Sequence, residues 1–264
     1  MKDRRFYFRG HANTTWEIKP SICRDESEKH HEAAILREQI RMGNWNMDDN
    51  LFENIARLQH YGVHTRMLDY SLDADIAIYF ACESNIDIDG IIYICPYDCR
   101  ETNHLHTAII TELAILEEPV LVSCLTDKIF SNYEEYVNQY FQYTPAYDPF
   151  ESVALSILSI ADHGIMVTPS SDDYERMRVT NPRLYNQKGA FFVFGNKTDP
   201  YDQQANTSNI FTTKILPSIA EAPRTITIED RVPRVIVRKE DKREILEELS
   251  HTKGITRSYI YPDE

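Results

Sequence analysis

The 264-residue sequence holds little glycine, 8 residues, and 12 prolines, which argues against a long disordered region. No stretch approaches the ~20 consecutive apolar residues that a membrane-spanning helix needs. The opening residues, Met1-Lys2-Asp3-Arg4-Arg5, lack the apolar core of a secretory signal and run straight into strand-like sequence, so the expectation is a cytoplasmic protein. Cysteine is sparse and odd in number: Cys23, Cys82, Cys95, Cys99 and Cys124 are scattered, and a reducing compartment fits them better than a disulfide framework. Positive charge is also short. Twenty-eight Lys and Arg face 42 Asp and Glu, a net charge of −14, and long-range repulsion from phosphate backbones disfavours a passive nucleic-acid coat. A small molecule, a protein or a tightly gated nucleic-acid substrate remains. Acidity also serves solubility.

With 42% hydrophobic and 27% charged residues, the chain can bury a sizeable core. Arg4 to Arg9 reads as a strand in which Phe6 and Phe8 alternate with Arg5, Tyr7 and Arg9, and Gly10 ends it. Glu26 to Met42 reads as a helix with Ile35, Leu36 and Ile40 on one stripe. Asp48 or Asp49 caps a second helix, with Leu51, Ile55 and Leu58 inward and Gly62 as its stop. His64 to Tyr70 reads as a short turn, and about Ala74 to Glu83 as a helix burying Ile76, Ala77, Phe80 and Ala81. Gly90 to Cys95 reads as a buried strand. Thr107 to Glu118 and Ser152 to His163 read as helices. Between them, Ser123 to Pro149 is aromatic, acidic and turn-rich, like a flexible insertion or lid. Gly189 to Phe194 and Pro233 to Arg238 read as strands, Asp199 to Thr207 as a polar loop. Asp241 to Ser250 reads as an amphipathic helix closed by Gly254. Helices and strands mix without strict βαβ alternation, so the expected class is α+β.

Two constellations carry chemistry. Leu58 to Ser71 places Gln59, His60, Arg66, Asp69 and Ser71 between a helix stop and a helix start, where Asp69 or Ser71 can cap the next helix. The bland reading is that Arg66 and Asp69 pair to hold the turn. Phe6-Tyr7-Phe8-Arg9-Gly10 ends an apolar strand in a fork of donors with room for a ligand beside it. Its bland reading is an internal ion pair. A third cluster, Cys95, Cys99, His104 and His106, does not follow a usual zinc spacing and reads as a strand-end cysteine with loop histidines. The aromatics from Tyr133 to Tyr147 and from Phe191 to Phe194 read as core, with base or nicotinamide stacking as the alternative.

Phe8-Arg9-Gly10 followed by Trp16, Pro20 and Arg24 resembles the opening of the FRG domain. Gln59-His60-Tyr61-Gly62, then Thr65-Arg66-Met67-Leu68-Asp69, ending in Ala77 and Phe80-Ala81, resembles its central signature. Gln187-Lys188-Gly189-Ala190-Phe191 and the tail with Ile245-Leu246, Gly254-Ile255 and Pro262-Asp263 are also similar to it. The resemblance implies one compact domain over residues 1–264, with a helical or loop insertion at about 100–165 as an option.

A weaker resemblance is to ADP-ribosyltransferases of the Arg-Ser-Glu type. Arg9-Gly10 looks like their first element, and Ser71-Leu72, Ala77 and Phe80-Ala81 like their second. Gln187-Lys188-Gly189 stands where they carry Glu-x-Glu. This resemblance implies central β-sheets with helices packed around them and NAD as the substrate, with no metal. Arg9 would hold the pyrophosphate, Thr65 or Ser71 the nicotinamide ribose, Asp69 would supply the carboxylate, and Gln187 an orienting hydrogen bond. Gly10, His60, Tyr61, Arg66 and Tyr70 would complete the NAD site. The implied role is a toxin or anti-phage effector that modifies RNA or protein, neutralised by a partner protein. The alternatives are a non-catalytic nucleotide or phospho-ligand module, and a metal-independent ribonuclease with His60 as base and Arg66 on the phosphate.

Overall fold

The apolar runs of the sequence become the strands of two antiparallel sheets. The structure, a computed structural model, describes residues 5–24, 31–43, 51–97, 104–142, 148–169, 171–199, 210–220 and 232–262. The larger sheet is built from β1 (Arg5–His11), β2 (Met67–Ser71), β3 (Gly90–Tyr97), β5 (Ile165–Val167), β6 (Gly189–Val193) and β9 (Arg234–Val237). Their order across the sheet is β5-β6-β2-β1-β3-β9. The smaller sheet has the order β4-β8-β7, from β4 (Val120–Leu121), β7 (Asn196–Asp199) and β8 (Lys214–Ile219).

Helices cover the larger sheet. One end of it, carrying Met67, Phe191 and Val193, packs against α1 (Glu32–Arg41), α2 (Leu51–His60), α4 (His104–Ala114), α5 (Val122–Asn132), α6 (Glu134–Phe141) and α7 (Pro149–His163). Leu36, Ile55, Leu113, Leu125 and Ile157 fill that core. Each such side chain contributes about 1.5–3 kcal/mol by leaving water. At the other end, α3 (Ala74–Cys82) lies on β1 and β3, with α10 (Lys242–Lys253) behind it. Two glycines allow that approach. A Cβ on Gly10 would sit 1.9 Å from the Ala77 carbonyl oxygen, and one on Gly90 would sit 2.2 Å from that of Ala81. The missing side chain of Gly10 therefore serves helix packing. Among the described residues the other α-helices are α8 (Ser171–Thr180), α9 (Pro182–Asn186) and α11 (Arg257–Ile260).

The α+β architecture follows the sequence, but several details differ. The expected turn at His64 to Tyr70 contains β2, a central strand between β1 and β6. Met67, Leu68, Tyr70 and Ser71 are all buried, so no alternation marks it as a strand. Neither Asp69 nor Ser71 caps α3. Asp73 does, accepting from the Asp75 amide at 3.0 Å. The stretch expected to be a flexible lid folds into α5 and α6, with residues 143–147 outside the described set. Asp48, Asp49, Cys99 and most of the loop expected at Asp199 to Thr207 also fall outside it. Gly254 ends α10 in the left-handed conformation, as expected.

Candidate functional site

The cleft forms where the pairing of β1 with β2 stops. β1 runs beside β3 along its whole length, from Arg5 opposite Tyr97 to His11 opposite Ile91, but meets β2 at Phe8 opposite Ser71. Beyond that pair, Arg9 Nη1 donates to the Asp69 carbonyl at 2.5 Å, and the guanidinium fills the seam in place of further strand pairing. A cleft of about 230 Å3 opens over this seam. The sheet supplies Phe8, Asp69, Ser71 and Phe191. Gln59 and His60 at the end of α2 form one wall, Phe80 of α3 another, and Asn181, Arg183 and Gln187 around α9 a third.

Each polar group has a reason for its position. Arg9 Nε donates to His11 Nε2 at 2.9 Å, which fixes the guanidinium from behind. That bond needs a neutral imidazole. Burial, and then the Arg9 charge, lower the His11 pKa to about 3, so the acceptor lone pair is kept. The Gln59 amide donates from Nε2 to Asp69 Oδ1 at 2.7 Å, while its Oε1 accepts from the Thr65 hydroxyl. Thr65 thus sets which end of Gln59 faces Asp69. Asp69 is open to water at the cleft surface, yet the walls remove much of its hydration. Burial pushes its carboxyl up, and Arg9, Arg183, its own amide and Gln59 pull it part of the way back. Arg24, although surface-exposed, feels the same field: burial and the Arg9 charge lower its pKa, against Asp69. Two cleft-lining guanidinium groups, Arg9 and Arg183, beside one carboxylate make a locally positive setting on an acidic chain, one that attracts anions.

Arg9, Gly10, His60, Asp69, Tyr70, Ser71 and Gln187 all line this cleft. Tyr61, Thr65 and Arg66 do not. Tyr61 is 75% exposed and stacks on His60 from outside, with ring centroids 5.3 Å apart. Thr65 is fully buried behind Gln59. Arg66 is only 1% exposed and points away from the cleft. Its Nε donates to Glu32 Oε2 at 2.7 Å, and its Nη1 to Asn196 Oδ1 at 2.6 Å and to the Phe194 carbonyl at 3.2 Å. The sequence suggested a pair with Asp69; Glu32, 34 residues upstream, is the partner. Ser71 lines the cleft with its hydroxyl engaged, donating to the Gln187 carbonyl at 2.7 Å and accepting from the Asp73 amide at 3.0 Å.

Residues 4–89 match the family model described as the FRG domain. No curated protein and no solved structure matches the chain. The FRG match takes in β1, α2, β2 and α3, hence Arg9, Gln59 and Asp69, but the cleft also needs Asn181, Arg183 and Gln187 from beyond it. Arg183 and Asn181 were not singled out in the sequence. Asn181-Pro182 was the available signal, since Asn181 caps α9 by accepting from the Leu184 amide at 3.0 Å. Cys95 is buried in β3, where burial pushes its thiol up to about 11. Among the described residues no group of three His, Cys, Asp or Glu is placed to hold a metal ion, and no helix is long and apolar enough to cross a membrane.

Proposed function

We propose that this cleft binds NAD and that the protein is an ADP-ribosyltransferase modifying a macromolecule, RNA or protein, as a toxin or anti-phage effector. The observation that carries the reading is the convergence of Arg9, Arg183 and Asp69 on one cleft. The residues fit a dinucleotide in kind. Arg9 and Arg183 suit its pyrophosphate, and Phe8, Phe80 and Phe191 offer apolar faces to its rings. Sugar hydroxyls meet the amides of Asn181 and Gln187, whose other ends are tied to the Leu184 amide and the Ile260 carbonyl. These amides replace Thr65 and Ser71, whose hydroxyls are already engaged.

Cleavage of the nicotinamide–ribose bond builds positive charge on the ribose. Asp69 is the carboxylate positioned to stabilise that charge, and its raised pKa suits it to take the proton from an acceptor hydroxyl or amine. The chemistry depends on its being ionised when the nicotinamide end of the substrate arrives, and the positive charge of that ring favours the ionised form. Incubation with radiolabelled NAD and cell lysate should transfer label to protein or RNA, told apart by protease and RNase. Arg9→Ala should abolish the transfer; undiminished labelling in that variant would contradict the assignment.

A second reading, nucleotide capture without turnover, is favoured by Gln187. It stands where the transferases carry a glutamate, with its Nε2 committed to the Ile260 carbonyl at 3.1 Å. Thermal stabilisation by NAD without any label transfer would select it. In either reading a neutralising partner protein suits a bacterial conflict system.

A further inference from the structure

Arg183 lies in the cleft wall on α9, a helix of only five residues, and its long side chain needs a support to hold it over Asp69. That support comes from the other end of the chain. The Arg183 guanidinium carbon lies 4.6 Å from the centre of the Tyr261 ring, within cation–π range. Tyr261 is itself held. Its hydroxyl donates to Glu83 Oε2 at 2.7 Å, just past the end of α3, and Arg257 of α11 lies 5.0 Å from the same ring. Burial, and then the bond to Glu83, raise the phenol pKa, so the hydroxyl stays a donor. The segment before Tyr261 is clipped to the same wall. Asn186 Nδ2 donates to the Tyr259 carbonyl at 2.7 Å, and Gln187 Nε2 to that of Ile260 at 3.1 Å.

We propose that Tyr261 is a positioning residue for the cleft. Its ring holds the Arg183 guanidinium toward the anionic part of the ligand, and the segment from Thr256 to Tyr261 fixes the wall that carries Arg183 and Gln187. The FRG match ends at residue 89, so the segment that completes this anion site comes from outside it. A face of π electrons suits the task better than a carboxylate, which would neutralise the guanidinium it holds. The inference rests on the nucleotide reading for its ligand, but not for its geometry, and the two can be tested apart.

The test compares Tyr261→Phe, which keeps the ring and loses the hydroxyl, with Tyr261→Leu, which loses the ring. Without ligand, modification of Arg183 by an arginine-selective dicarbonyl is followed by peptide mass spectrometry. Tyr261→Leu should raise the Arg183 rate roughly three- to ten-fold, the range a cation–π contact accounts for, and Tyr261→Phe should stay within about two-fold of wild type. An unchanged rate in Tyr261→Leu, or the same rise in both variants, would overturn the proposal. If Tyr261→Leu does not fold, Tyr261→Met fills similar space without the ring and is judged by the same outcomes. ADP affinity is then measured in the same proteins. It should fall in Tyr261→Leu, and adding Tyr261→Leu to Arg183→Ala should lower it no further. Absence of ADP binding by the wild type would overturn the nucleotide reading, while the modification rates still decide the role of Tyr261.

Discussion

Two arginines of the FRG-like signature, Arg9 and Arg66, look alike in the sequence and do opposite work in the molecule. Arg66 is sealed between the two sheets. It meets Glu32 of α1, the Phe194 carbonyl after β6 and Asn196 of β7, and Asn196 in turn donates to the Leu113 and Leu216 carbonyls. Each partner is satisfied, so the network joins five parts of the chain. Among the described residues Arg9 hydrogen-bonds to neutral acceptors, the Asp69 carbonyl and His11, and it faces a cleft. An arginine paired with a buried carboxylate is structural. One held by neutral acceptors beside open space retains its charge for a ligand.

The largest expected effect tests the structural half of that comparison. Arg66→Met leaves Glu32 buried without its cation, holding the residue 66 amide alone, and should lower unfolding free energy by about 3–5 kcal/mol in a denaturant titration. A loss under about 1 kcal/mol would show the network to be dispensable. Gly10→Ala comes next. It pushes a methyl into the Ala77 carbonyl and should cost about 1–3 kcal/mol, since backbone must move. Arg9→Ala sits one residue away and should cost less than about 1 kcal/mol in the same titration while removing ligand binding. If it destabilises as much as Arg66→Met, the two arginines are both structural and the contrast fails.

The pH dependence is smaller and concerns the groups around Arg9. His11 binds a proton near 6.5 when unfolded, but only near 3 when folded. Stability should therefore fall as pH drops from 6.5 toward 3, by at most about 1.4 kcal/mol per pH unit from this residue. His11→Gln, which keeps an acceptor for Arg9, should flatten that slope. Asp69 acts in the opposite sense. Its folded pKa is raised, so the folded chain keeps a proton that the unfolded chain has released, and stability falls as pH rises through that window. Asp69→Asn should melt slightly above the wild type at neutral pH, with the gap closing in acid. A lower melting point for this variant would show that the carboxylate stabilises the fold.

The sequence was informative where one physical cause acts locally. The aromatic strand at Gly189, the strand at Gly90 and the helix closed by Gly254 each carry their pattern within a few residues. β2 was hidden because a strand buried on both faces has no alternation, and its polar lead from His64 to Arg66 resembles a turn. Arg9 and Asp69 were legible as neighbours of one cleft because each stands at the end of a short apolar or signature run. Arg66 was placed in the same group because its partner, Glu32, and its acceptor, Asn196, are far away in sequence. Arg183 was missed for the same reason in reverse: only the packing of α9 over the seam brings it to Asp69. β8 carries a proline at Pro217, and α8 is largely charged, so neither shows a periodic apolar face.

The account is tested most directly by titrating NAD into the wild type and Arg9→Ala in a calorimeter, with the folded state of both checked by melting. Saturable binding by the wild type, lost in an Arg9→Ala protein that melts within a few degrees of it, is the expected result. Equal binding by the two proteins, or none by a folded wild type, would contradict the assignment of Arg9 and its cleft.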